Sequence, residues 1–72
     1  MTIFEKASIR ASILGSIAQS TSWDVDHQKE RLERYKALNN EADSHDYDAE
    51  IEDAEFRISI YESVTKTLEK ML

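Results

Sequence analysis

The feature that most restricts the fold is a row of side chains in the C-terminal third. Tyr47, Ile51, Ala54, Ile58, Tyr61, Thr65, Leu68 and Leu72 succeed one another at alternating intervals of four and three residues, and only Thr65 among them is polar. This spacing draws a narrow apolar stripe along one side of an α-helix and requires a second helix lying lengthwise against it, a coiled-coil-like seam. The opposite side carries Asp48, Glu52, Glu55, Glu62 and Lys66 and suits water. Ile60, Val64 and Met71 lie beside the stripe, with Phe56 further out, and widen the apolar arc to roughly 200°. One neighbouring helix cannot cover such an arc.

The rest of the chain is expected to be helical too. There is no proline and a single glycine, Gly15, whereas strands joined by tight turns need more Gly, Asn-Gly or Pro. The reading is one all-α domain, residues 1–72, of three helices at about 2–20, 22–42 and 46–72. Thr2 followed by Glu5 is a capping-box pattern for the first helix. Ile3, Phe4, Ala7, Ala11, Leu14 and Ala18 share one of its faces. A four-residue repeat, Ala-Ser-Ile-Arg, Ala-Ser-Ile-Leu, Gly-Ser-Ile-Ala, starts at Ala7. Four residues overshoot a helical turn by about 40°, so Ile9, Ile13 and Ile17 wind towards the core face. Ala7, Ala11 and Gly15 form a small-residue stripe.

Gln19-Ser20-Thr21-Ser22 reads as a break, with Thr21 or Ser22 capping the second helix; Trp23 is either stapled back onto the first helix, the commoner case, or an exposed anchor for a partner. The second helix has a thin apolar edge, Val25, Leu32, Tyr35, Leu38 and Ala42, and an i,i+4 pair, Glu30 with Arg34. Asn39-Asn40 weakens its end. Asp43-Ser44-His45-Asp46 is the clearest turn signal in the chain, and Ser44 or Asp46 is the expected cap of the third helix. So short a link makes the second and third helices antiparallel neighbours. Ala42 should then meet Ile51, Leu32 and Tyr35 should lie towards Ile58 and Tyr61, and Val25 should lie near Leu68. The first helix is expected to fold against the third, or to be exchanged in a homodimeric bundle.

Seventy-two residues give a marginal single-chain core. With no cysteine, disulfides and thiolate metal sites are excluded, which leaves self-association as the usual remedy and fits a reducing, cytoplasmic setting. Met1 to Lys6 does not read as a signal peptide, because Arg10 interrupts the apolar stretch after it. No apolar run approaches the length of a membrane span. The net charge of −6 argues against non-specific binding to nucleic acid or to anionic membrane.

Enzymatic chemistry finds little support. The only histidines are His27 and His45, and neither a Gly-flanked nucleophile turn nor a phosphate-cradling glycine loop is present. Asp46, Asp48 and Glu50 alternate like the start of a calcium loop, but that loop would need Gly at Ile51 and Glu at Arg57. No metal or other cofactor is therefore expected. His27, Arg31 and Arg34 share one side of the second helix, yet Glu30 and Glu41 interrupt it, and a phosphate-binding stripe should be denser.

The charge distribution says more. Glu41, Asp43, Asp46, Asp48, Glu50, Glu52, Asp53 and Glu55 occupy one segment with no Lys or Arg among them. They carry −8 in a chain of net −6, so the remainder carries +2. The helix macrodipole accounts for acids in the first turn of the third helix. Glu52, Asp53 and Glu55 lie beyond it, and like charges at this density repel one another. The expected function is a small acidic interaction protein, an inhibitor, anti-repressor or adaptor. It would present this tip to a protein with a basic or nucleic-acid-binding surface, as a mimic of nucleic-acid charge. The alternative is an assembly subunit that self-associates or docks through Ile9, Ile13, Ile17, Phe56, Ile60 and Val64.

Overall fold

The computed structural model describes all 72 residues, and they form two helices. α1 runs from Ile3 to Ala42 and α2 from Asp48 to Met71. They pack antiparallel as a hairpin measuring 61 × 15 × 12 Å. The longest dimension is that of α1 itself, since its 40 residues at about 1.5 Å each reach about 60 Å. The three-helix arrangement expected from the sequence is therefore incorrect: the first and second helices are one continuous rod, and nothing folds back across α2.

Continuity follows from a register that crosses residues 19–22 without interruption. Leu14, Ala18, Thr21, Val25, Gln28, Leu32, Tyr35 and Asn39 repeat the four-three spacing of α2 and, with Arg31 and Leu38 beside them, are the positions shielded from solvent along α1. Two of them, Thr21 and Gln28, are polar and buried. The Thr21 hydroxyl donates to the Ile17 carbonyl at 2.8 Å, which satisfies it inside the helix instead of at a cap. The Gln28 side-chain oxygen accepts from Arg31 at 2.8 Å. A Gln-Ser-Thr-Ser run without Gly or Pro costs only a few tenths of a kcal/mol per residue in helix propensity, and an unbroken seam outweighs that. Trp23 is consequently not a staple. It stands in mid-helix, 65% exposed, on the side of α1 away from α2.

The ends follow the sequence more closely. Thr2 caps α1, its hydroxyl accepting from the Glu5 amide at 3.1 Å. α1 stops where expected: Asp43 takes the left-handed conformation at φ 47°, and the Ser44 amide donates to the Asn39 carbonyl. The α2 cap differs. Tyr47 occupies the N-cap position and neither Ser44 nor Asp46 caps through its side chain. Asn39 of α1 replaces them, its Oδ1 accepting from the Tyr47 amide and its Nδ2 donating to Asp48 Oδ1, both at 3.0 Å.

That bridge fixes the register, and the expected pairing shifts. Tyr35 stacks on Tyr47 at 5.3 Å between ring centroids, Arg31 reaches Asp53, and Arg10 donates to the Met71 carbonyl. Tyr35 thus sits about three turns nearer the start of α2 than Ile58, and Ala42 is exposed. The α2 stripe itself is placed as expected, with Ala54, Ile58 and Leu68 buried and Tyr47, Ile51 and Tyr61 partly so, while Thr65 and Leu72 are exposed. Leu14 is the N-terminal limit of burial on α1, and every residue from Met1 to Ile13 is exposed. No helix is long and apolar enough to cross a membrane.

A single α1 makes Ser20 an interior helix position on an exposed surface. Ser20→Pro should lower stability by about 3 kcal/mol or more, read from denaturation followed by circular dichroism. In a loop between two helices the same change would be nearly neutral.

Candidate interaction surfaces

The two ends of the hairpin differ chemically. At the turn, a set of contacts stiffens the tip. Arg31 lies 5.6 Å over the Tyr35 ring, which stacks on Tyr47 at an interplanar angle of 26°. The aromatic pair and the cation above it each contribute about 0.5–1 kcal/mol at such half-buried positions. Arg31 also approaches Asp53 at 3.5 Å, and Arg57 binds the same carboxylate oxygen at 2.9 Å. The hydrogen bond from Arg57 holds the Asp53 carboxyl below its usual pKa of 3.8, with Arg31 adding to the effect and desolvation opposing it. His45 Nδ1 stands 3.2 Å from Asp48 Oδ2.

These contacts sort the eight acidic residues. Asp53 is not free, as the absence of Lys and Arg within its segment had implied, because its partners come from α1 and from the next turn of α2. Asp48 is engaged by Asn39 and His45. Glu50 is half-buried, and its Oε2 has no hydrogen-bond partner. Glu41, Asp43, Asp46, Glu52 and Glu55 remain exposed and outside any ion pair. No three His, Asp or Glu side chains converge as a set of metal ligands. The expected pair Glu30 and Arg34 does not form, and the basic side of α1 is reduced because Arg31 is committed to Gln28 and Asp53.

The open half of the hairpin is apolar on one flank. Arg10 meets Met71 and Arg31 meets Asp53, so residues one turn or one heptad from these share their flank. On α1 these are Ile13, Ile17 and the exposed Asp24; on α2 they are Ile60 and Val64. The four apolar ones are 38–55% exposed. Ile9 and Phe56 belong to the margins of this surface, further around their own helices. The other flank is an open groove of about 460 Å³ edged by Ser22, Asp26, Lys29, Glu62, Lys66 and Glu69. Ala18 and Val25 are the only apolar residues that line it, and the stems of the charged side chains add further apolar surface. Within the small-residue stripe, Ala7 and Ala11 border a shallow pocket shared with Met71 and Leu72, whereas Gly15 has no close neighbour: a methyl group placed on it would meet nothing within 4 Å.

Asn39 was the position least visible beforehand, since Asn-Asn near a helix end signals only a stop. Its distinguishing mark is that it continues the four-three register. Comparison with protein-family models, with curated proteins and with solved structures finds no match.

Asn39→Ala removes two hydrogen bonds at the turn and should cost about 1–2 kcal/mol of stability in urea denaturation. The neighbouring Asn40→Ala, whose side chain makes no such bridge, should change stability by under about 0.5 kcal/mol.

Proposed function

We propose that this chain is a non-enzymatic interaction protein that binds another protein and blocks or modulates it through its acidic turn. The observation that carries the reading is the pairing of free charge with a stiffened support. Glu41, Asp46, Glu52 and Glu55 are exposed and unpaired, while Asn39, the Tyr35–Tyr47 stack and the Arg31–Asp53–Arg57 cluster hold the backbone beneath them. Charge fixed in position before binding needs little further ordering when a partner arrives. Carboxylates spaced along a helix end can occupy a surface that a partner reserves for phosphates, which makes a basic, nucleic-acid-binding protein the natural target. An inhibitor, anti-repressor or adaptor works this way. The cysteine-free composition suits a reducing, cytoplasmic setting.

A second reading, a structural or assembly subunit, is supported by the exposed Ile13, Ile17, Ile60 and Val64. The two respond differently to salt. Binding through the acidic tip should weaken steeply as salt rises, and docking through apolar residues should not. Direct binding to nucleic acid is the weakest reading, because Arg31 already has carboxylate and amide partners.

The test leaves Asp53 in place, because its arginine contacts belong to the fold. The triple variant Asp46→Lys, Glu52→Lys and Glu55→Lys should keep the helical circular dichroism signal. It should no longer retain the basic protein captured from lysate by the unaltered chain and released by moderate salt. Undiminished capture by the variant would refute the acidic-tip reading.

A further inference from the structure

The hairpin leaves too much surface uncovered. Its accessible area is 5738 Å², whereas a compact monomer of 8.3 kDa exposes about 4,600 Å². The excess, on the order of 1,100 Å², is larger than the roughly 800 Å² that each partner buries in a standard interface. Inside, the shielding is slight: Leu14, Ala54, Ile58 and Leu68 are the only buried apolar residues. Outside, Ile13, Ile17, Ile60, Val64 and Met71 form one patch on the flank where Arg10 meets Met71. Isolated exposed apolar side chains need no explanation, but five on one flank, over a seam this thin, do.

Charge indicates what covers the patch. Residues 1–28 carry three acids and two bases, and residues 56–72, which lie alongside them, carry two acids and three bases. The half of the hairpin that bears the patch is therefore neutral overall, while the turn carries −8. Two such halves can meet without repulsion as long as the two turns stay apart. We infer that a second copy of this chain docks on the Ile13–Ile17–Ile60–Val64–Met71 flank. The two hairpins overlap by their open halves about a two-fold axis, and the acidic turns point in opposite directions. The contact is isologous, each copy offering the same patch. It completes a core that neither hairpin has alone. It also yields a rod with a free acidic tip at each end. The inference goes beyond the partner-binding reading and stands on the purified chain alone, so either can fail without the other.

The chain has no cysteine, so a single introduced one carries a unique spin label. In the proposed dimer, labels at Ser20→Cys lie near the two-fold axis and should be within roughly 25 Å of each other, given helix spacings of about 8–10 Å. Labels at Ser44→Cys, in the turn, should be on the order of 70 Å apart, because about 24 helical residues separate each from the axis. Light scattering should give twice the chain mass of 8.3 kDa at micromolar concentration. Ile17→Glu should abolish the dimer mass, and Trp23→Glu, a similar change on the far side of α1, should leave it intact. The inference is overturned by a helical monomer of the unaltered chain, by turn labels within about 30 Å, by a dimer that survives Ile17→Glu, or by one that is lost with Trp23→Glu.

Discussion

Two helices can bury only one stripe each, and everything else in this molecule answers to that limit. The stripe is a single file of side chains, Leu14 to Asn39 on α1 against Tyr47 to Leu68 on α2. It contains Thr21 and Gln28, whose polar atoms are satisfied within α1. Such positions add little hydrophobic burial to the seam. The cost is a thin core, and the consequence is that apolar side chains beside the stripe stay in solvent. In a three-helix domain those residues would have faced a neighbour in the same chain.

The turn solves a different problem. An acidic segment repels itself, and here it must reverse the chain within five residues, Asp43 to Tyr47. Part of the repulsion is relieved from outside the segment, by Arg31 and Arg57 converging on Asp53. The rest of the support is neutral: Asn39 bridging to Tyr47 and Asp48, and Tyr35 stacking on Tyr47. The acids on the far side of the turn remain in water. A stiff tip and an apolar opposite end are thus separated along a rod 61 Å long, which allows one end to assemble while the other meets a partner.

Much of this was legible in the residues. The α2 stripe, the Thr2 cap, the turn at Asp43 and the antiparallel hairpin follow from spacing and from turn chemistry. The number of helices did not. Gln19-Ser20-Thr21-Ser22 has the composition of a link, and its polarity hides that Thr21 occupies a seam position in the same register as Leu14 and Val25. Following the four-three register across the polar run would have exposed the continuity. The pairing register was misjudged for a related reason. Asn39 reads as a helix stop, yet it is a seam residue that grips the start of α2, which draws Tyr35 to Tyr47 and away from Ile58. Among the acidic residues, Asp53 looks unpaired in the local segment because its partners, Arg31 and Arg57, lie outside it, at distances in sequence that composition does not reveal.

Because α1 is one rod from Ile3 to Ala42, the seam has only two sides. A pair of spin labels at Ser12→Cys and Lys36→Cys, diluted with unlabelled chain so that only distances within one copy are read, tests that continuity most directly. An unbroken helix places these positions about 36 Å apart, in one narrow distribution. A population near or below about 20 Å, as a chain folded back at residues 19–22 would give, would contradict the account.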